Sequence, residues 1–377
     1  MRIAKSGIVC LAFGLLGCGG TESVKVGVVL PLTGPVATFG ESARDGALLA
    51  FEEVNSVGGV NGRQIEVLLV DDRNDPVATV EAAAKMIDKE KVVAMLGSVS
   101  TACSEPLAEQ CERAGVPLVT PSSTNPFVTV SRSGMRRGFV FRACFSDSFQ
   151  GAVAARFARL RMNAGNAAVL FGADDEYSAG LAGFFVTAFQ ALGGTVVALE
   201  SYDRTTTDFA PAFDRLRSTR PDVLFLPDYY TRVGVIAREA WQAGLRSELL
   251  GGDGWDSPGM LELAGDAIRG GYFTSHFAPD DPRPEVHEWV VRFRTRYNRD
   301  PDALAALGYD AARLLAAAIG RAELPDRPSL RDALAGTAGF AGVTGVISFD
   351  ERGNPVKDAV IRQFDFEGPR YVGTETP

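Results

Sequence analysis

Residues 26–76, VGVVLPLTGPVATFGESARDGALLAFEEVNSVGGVNGRQIEVLLVDDRNDP, run through a strand, a loop, a helix, a tight turn and a second strand without filler. Val26, Val28, Val29 and Leu30 form a short apolar run, rich in β-branched residues and closed by Pro31, which suits a strand covered on both faces of a parallel sheet. Phe39, Ala43, Ala47, Ala50, Phe51 and Val54 then recur at helical spacing and mark one face of the next segment as core. Gly58-Gly59 supplies positive-φ residues to end that helix, and Asn61-Gly62 turns the chain into the strand from Ile65 to Val70. A strand, helix and strand joined by short connections make a right-handed parallel unit.

Outward from this stretch the alternation continues. A helix from Val77 to Glu90, a strand from Val92 to Leu96, a helix from Thr101 to Ala114 and a strand from Val116 to Val119 complete one α/β lobe. The strand from Phe139 to Arg142 leads through Phe145-Ser146-Asp147-Ser148-Phe149-Gln150-Gly151 into a second series of the same kind. Its strands are expected at Ala167–Phe171, Thr195–Leu199, Val223–Leu226 and Leu249–Leu250, with helices at 148–163, 177–192, 209–218 and 230–243 between them. After a strand at Gly271–Thr274, residues 282–322 read as helical, with Trp289, Phe293 and Tyr297 on one face. A helix near 329–335, a strand at Gly345–Phe349, a hairpin-like turn and a strand at Ala359–Phe364 close the pattern.

The amino terminus carries Arg2 and Lys5 before an apolar run from Gly7 to Gly17, too short to cross a bilayer and shaped like a secretory signal, so residues 1–17 are expected to be removed and not folded. Leu15-Leu16-Gly17-Cys18 resembles the lipobox of bacterial lipoproteins; the resemblance implies diacylation of Cys18 and a short tether over residues 18–23. The whole chain has 38 basic and 47 acidic residues, a net charge of −9 that becomes −11 once Arg2 and Lys5 are gone. Such a balance argues against nucleic acid as a partner. About 360 mature residues exceed one core of usual size and favour two lobes. Cys103, Cys111 and Cys144 remain in an exported chain. Cys103 and Cys111 sit eight residues apart on one helix, roughly 12 Å along its axis and too far for a disulfide. Either Cys144 pairs with one of them or all three are buried thiols.

The catalytic motifs are missing. His276 and His287 are the two histidines; no G-x-S-x-G accompanies them, and His287-Glu288 lacks the second histidine of a zinc helix, so both read as surface or packing residues. Neither G-x-x-x-x-G-K-[ST] nor G-x-G-x-x-G follows a strand, leaving no cradle for a phosphate or dinucleotide cofactor. Asp71, Asp72 and Asp75 read as turn and capping residues next to Pro76 in preference to a cation site. The expectation is therefore no enzyme, no cofactor and no metal. What remains is a set of neutral polar loops at the carboxyl ends of strands, where open α/β sheets take ligands: Gly97-Ser98-Val99-Ser100-Thr101-Ala102 and Thr120-Pro121-Ser122-Ser123-Thr124-Asn125-Pro126. Their hydroxyls and free N–H groups can hold a carboxylate.

Pro31-Leu32-Thr33-Gly34, the run Asn55 to Arg63, Asp71-Asp72-Arg73-Asn74-Asp75-Pro76 and the two polar loops together resemble the branched-chain amino-acid (leucine/isoleucine/valine-binding) type of periplasmic solute-binding protein. The resemblance spans nearly all of residues 24–366. It implies two Rossmann-like lobes of the type I periplasmic binding protein joined by a three-segment hinge. Lobe 1 would comprise 24–141 and 276–347, lobe 2 145–272 and 355–372, and the crossings 142–144, 273–275 and 348–354. It further implies a substrate-binding component of an ABC transporter that closes its lobes on a small amino acid, branched-chain or otherwise aliphatic, and passes it to a permease from the periplasm or cell surface. An amide, an aromatic acid, a short peptide or a sensor role are the alternatives.

By position, the resemblance assigns the ligand carboxylate to Thr101 with help from the N–H of Thr124, and the ligand ammonium to the Ser122 carbonyl and the Thr124 hydroxyl. It places Tyr177, Tyr229 and Asp253 on the opposite lobe, with Asp253 as the ammonium partner. Asp253 stands where leucine-binding members have glutamate, and Phe39 where several have tyrosine. Trp255 adds a further ring, and both Phe39 and Trp255 also have a plain reading as lobe packing. The disulfide of some members has no cysteine beside Asp72 to form it.

Overall fold

The computed structural model describes residues 23–376 apart from 323 and 325, together with the backbone of Val9–Cys10. Cys18, the tether up to residue 22 and the rest of the signal stretch lie outside the described residues. The chain divides into two compact units. The first is Met1–Ser123, Phe127–Cys144 and Glu288–Val356; the second is Thr124–Pro126, Phe145–His287 and Lys357–Pro377.

In chain order the first unit begins with β1 (Val9–Cys10), β2 (Val24–Leu30), α1 (Ala37–Ser56), β3 (Ile65–Asp71), α2 (Pro76–Lys85), β4 (Ala94–Gly97), α3 (Thr101–Ala114), β5 (Leu118–Thr120) and β6 (Val140–Arg142). Its sheet has the order β1-β3-β2-β4-β5-β6, parallel throughout except for β1. Val26, Val28, Val29 and Leu30 are all buried, as a strand covered on both faces requires. β1 is a two-residue antiparallel pairing at the outer edge of β3, with Val9 opposite Leu69 and Cys10 opposite Leu68. Gly58 and Gly59 take φ of 102° and 77°, and Asn61 and Gly62 take 50° and 74°, so the turn between α1 and β3 is built by residues that tolerate left-handed backbone. α2 is shorter than its sequence pattern and gives way to a π-turn over Met86–Glu90 that ends at left-handed Lys91.

The second unit contributes α4 (Asp147–Leu160), β7 (Asn166–Gly172), α5 (Glu176–Ala191), β8 (Thr195–Tyr202), α6 (Ala210–Thr219), β9 (Val223–Leu226), α7 (Tyr230–Gln242), β10 (Glu248–Gly251), α8 (Gly259–Ala264) and β11 (Tyr272–Ser275). The chain then builds α9 (Pro284–Tyr297), α10 (Ala303–Arg321), α11 (Arg327–Ala335) and the hairpin β12 (Phe340–Gly342) and β13 (Gly345–Ile347), and ends with β14 (Ala359–Phe364) and β15 (Pro369–Glu375). The second sheet has the order β15-β14-β11-β10-β9-β7-β8. Five strands run parallel, and β14 and β15 are added antiparallel at one edge. The register between β14 and β15 slips between Ile361 and Arg362.

The helical stretch 282–322 is two helices. Asn298 at φ 52° stops the first, and Asp302 caps the second by accepting from the Ala305 N–H at 2.9 Å. α1 and α10 cross at backbone distance, since a Cβ on Gly46 or Gly308 would strike the Ala305 or Ala43 carbonyl oxygen of the facing helix. α10 is apolar over a length that could span a bilayer, yet 78% of that window is buried inside its unit, as befits a core helix. Trp289, Phe293 and Tyr297 stack along α9 as their spacing predicts, at ring distances of 5.4 and 4.8 Å. Cys103, Cys111 and Cys144 are buried free thiols, which resolves the two readings of the cysteines.

Two boundaries differ from the expected ones. Residues 276–287 group with the second unit, where His276 lies against Phe145 and Asp253. Thr124–Pro126 also group there. The Thr124 carbonyl accepts from the Asp147 N–H at 2.9 Å, satisfying a first-turn donor of α4, and Asn125 Nδ2 donates to the Glu176 carbonyl at 2.9 Å.

Candidate functional site

In the first unit the carboxyl ends of β2, β3, β4 and β5 bring four loops together. Asp71 pins the loop after β2: its carboxylate accepts from the Leu32 N–H (2.8 Å), the Thr33 N–H (3.2 Å) and the Thr33 hydroxyl (2.6 Å). Burial pushes the Asp71 carboxyl up, but the Thr33 hydroxyl and the N–H groups of Arg73, Leu32 and Thr33 outweigh it and leave it below its ordinary range. Asp72 is fully buried, accepting from Ser98 Oγ at 2.7 Å and Thr79 Oγ1 at 3.2 Å, and burial raises it. Asp75 caps α2 through the Val77 and Ala78 N–H groups. The acidic run thus performs the turn and capping work its sequence suggested.

The loop after β4 turns at Gly97, with φ 138°, where a Cβ would collide with the Val29 carbonyl oxygen. It delivers Thr101, 2% exposed, to the first position of α3. Ser100 holds the N-cap position in extended backbone without a side-chain cap, its hydroxyl going instead to Asn74 Oδ1 at 2.5 Å. The first turn of α3 therefore presents N–H groups and the positive end of the helix dipole. Ser122 and Ser123 both donate to the Val99 carbonyl at 3.0 Å, and Thr120 Oγ1 donates to the Ser98 carbonyl at 2.8 Å. These hydroxyls tie the two polar loops to each other. Phe39 lies in the buried stripe of α1, 5% exposed.

The second unit assembles a denser cluster. Asp253 opens a short 3-10 turn after β10, and its carboxylate is met from three directions. Tyr177, in the first turn of α5, donates its hydroxyl to Oδ1 at 2.9 Å and accepts from the Gly254 N–H at 3.0 Å. Gln150, from α4, donates Nε2 to the same oxygen at 2.8 Å and to Thr274 Oγ1 at 2.9 Å. His276, just past β11, places Nε2 3.1 Å from Oδ2. Tyr229 stacks on Tyr177 with ring centroids 4.8 Å apart. Burial, followed by the negative charges of Asp253 and Asp147, holds the Tyr177 phenol well above its usual range, so it is a neutral donor. Burial likewise lowers His276, against the pull of Asp253.

A carboxylate has about four lone-pair directions. Among the described residues, two on Oδ1 and one on Oδ2 are taken, which leaves one acceptor position on Oδ2 of a side chain that is 12% exposed. All three donors are neutral in charge, so none of them brings a positive charge to the Asp253 carboxylate. Trp255 is fully buried, with its indole N–H on the Leu226 carbonyl at 2.9 Å and its ring against Phe273. It packs beneath the turn that carries Asp253.

Of the residues singled out from sequence, Tyr177, Tyr229 and Asp253 converge in one cluster, and Thr101 and Ser122 in the other; Thr124 groups with the second unit. Gln150 and His276 were missed. Gln150 lies in the quoted stretch 145–151, but a single amide on a helix has no motif. The sequence presents His276 as a packing or surface residue; it does pack, on Phe145 at 3.7 Å, while also touching the central carboxylate. His287 is exposed.

The family model described as periplasmic binding protein matches residues 23–369. The chain is 31% identical over 349 residues to the leucine-, isoleucine-, valine-, threonine- and alanine-binding protein of Pseudomonas aeruginosa, covering 92% of this chain and 89% of that one. It is similar to the solved structure of a leucine-binding protein from Thermotoga maritima, with a TM-score of 0.88 and 36% identity over 94% of this chain and 99% of that one. A branched-chain amino acid transporter substrate-binding protein from Streptococcus pneumoniae, solved in complex with isoleucine, matches with a TM-score of 0.85 and 28% identity over 93% and 99% of the two chains.

Proposed function

Because the chain belongs to the periplasmic binding protein family and has its two α/β lobes, we propose that it binds an aliphatic amino acid and delivers it to the permease of an ABC importer. The observation that carries this reading is the single open acceptor position on Asp253, held in a cluster of neutral donors with an uncompensated negative charge. An ammonium group supplies the donor and the charge that this position lacks. Thr101 with the first-turn N–H groups of α3, the carbonyl of Ser122, and the hydroxyl and N–H of Thr124 are the complementary groups for the rest of the zwitterion. Tyr229, backed by the buried ring of Tyr177, offers ring surface beside it. Phe39 and Trp255 act through packing, Trp255 by supporting the Gly251–Gly254 turn. Ligand affinity for both units would bias a motion about the connecting segments near 142–144, 273–275 and 348–354.

The same reading places the protein outside the cytoplasm, tethered through acylated Cys18 once residues 1–17 are cleaved, and assigns it no catalytic step. Asp253 and His276 form an acid and imidazole pair, yet no hydroxyl or thiol nucleophile meets Nδ1 among the described residues.

The test is calorimetry of the purified chain against L-leucine, L-isoleucine, L-valine, L-alanine and L-threonine, repeated with Asp253→Asn. Saturable binding of at least one, weakened roughly ten- to a hundredfold by the substitution, is the expected result. A panel with no binding, or binding indifferent to Asp253→Asn, would reject the assignment.

A further inference from the structure

His276 is 1% exposed, its ring lies 3.7 Å from that of Phe145, and its Nε2 faces a carboxylate oxygen of Asp253. A nitrogen facing a carboxylate carries the proton, so Nδ1 is the bare nitrogen of a neutral ring. Nδ1 has no hydrogen-bond partner among the described residues. Protonating it would create a buried N–H without an acceptor in addition to a buried charge. We infer that His276 is the positioning residue for ligand charge: a neutral donor that fixes the orientation of Asp253 without neutralising it, so that the carboxylate is reserved for a cationic group. The inference rests on the proposed amino-acid binding and deepens it by naming what keeps the ammonium position open.

Asp253 and Asp256 act on the ring from the turn after β10, and Lys357 from the segment entering β14. Arg362 on β14 is engaged by Asp256, with Nη1 2.8 Å from Oδ1. Asp147, at the start of α4, acts on Tyr177 on the Oδ1 side of Asp253. Gln150, the α4 side chain on Asp253, is uncharged. Burial lowers His276 while Asp253 raises it, and the balance lies below the ordinary value. Near neutral pH the ring is then an uncharged donor and brings no positive charge to Asp253. As pH falls through the titration of His276, an imidazolium replaces the neutral donor and competes with the ligand ammonium for the same carboxylate. By linkage the affinity for an amino acid falls by up to about tenfold per pH unit in that range.

Two measurements test this. NMR of the ring nitrogens is simple because the chain has two histidines, and His287→Gln assigns the signals. The expected result is an Nε2–H tautomer for His276 titrating below 6.5, moved lower still by Asp253→Asn. An Nδ1–H tautomer, or titration at or above 6.5, would overturn the inference whatever the ligand. Calorimetry with L-leucine from pH 7.5 to 5 is the second. Wild type should lose affinity toward acid. His276→Gln, which keeps a neutral donor near the Nε2 position, should bind within about threefold of wild type at pH 7.5 and lose the acid decline. His276→Phe should bind roughly ten- to a hundredfold more weakly at every pH. Identical acid declines in wild type and His276→Gln would overturn the role, provided thermal unfolding shows both folded. A wild type that fails to bind L-leucine at pH 7.5 refutes the proposed ligand, and the NMR result then decides the state of His276 alone.

Discussion

Replacing Tyr177 by Phe removes one oxygen and keeps the ring that stacks on Tyr229, so it isolates the hydroxyl at the centre of the second-unit cluster. That hydroxyl donates to Asp253 Oδ1 at 2.9 Å and accepts from the Gly254 N–H at 3.0 Å, on a residue that is 2% exposed. A hydrogen bond to a charged group contributes about 1.5–3 kcal/mol, and a buried N–H left without an acceptor costs about 1–3 kcal/mol. Both losses come from one atom and partly overlap, since the Gly252–Gly254 turn can relax; about 2–4 kcal/mol is the net expectation for the second unit. The assay is urea unfolding at pH 7.5, read by hydrogen exchange in peptides covering residues 248–256. A loss under about 1 kcal/mol, or faster exchange spread evenly over the chain instead of concentrated in the turn, would refute the reasoning. The same variant should bind L-leucine more weakly, because Asp253 keeps Gln150 and His276 but loses the donor that aims Oδ1.

Asp228 is buried, accepting from the Tyr202 hydroxyl and from the Tyr229 N–H at 2.6 Å. Burial, against the hydrogen bond from Tyr202 and with the charge of Asp175 adding to it, pushes its carboxyl up to about 7. A carboxyl raised in the folded state stabilises the fold when protonated, and that contribution is complete below the unfolded value near 4 and lost as pH rises through about 7. Asp228→Asn should therefore be more stable than wild type at pH 8, by up to about 4 kcal/mol, with the gap closing toward pH 4; a gap independent of pH in thermal unfolding would count against it. Gly97→Ala should destabilise the first unit by about 2 kcal/mol or more, because the new Cβ meets the Val29 carbonyl at a φ of 138° that L-residues avoid. Urea unfolding within about 0.5 kcal/mol of wild type would show that the strand ends can part at no cost.

The alternation of strands and helices, the glycine turns after α1 and the polar loops at strand ends were legible in the sequence because each is a local property. A strand buried on both faces must be apolar throughout, a helix must repeat its apolar face, and a left-handed turn must have residues such as Gly58, Gly59 and Asn61. The capping roles of Asp71, Asp72 and Asp75 were legible for the same reason, since their partners lie mostly within a few residues or on the adjoining strand. The family resemblance located Tyr177, Tyr229 and Asp253, but not the side chains that hold Asp253 in place. Gln150 and Asp253 stand 103 positions apart, and no spacing rule connects them. His276 reaches Asp253 only because β11 runs parallel beside β10 and ends next to the turn that β10 feeds. Thr124 joined the second unit because its carbonyl satisfies a helix donor 23 residues further on. Sequence by itself determined which segments form elements and which loops are polar, through periodicity and backbone preference. Tertiary structure alone decided which neutral donors surround the Asp253 carboxylate, because hydrogen bonds between distant elements depend on where packing places their ends.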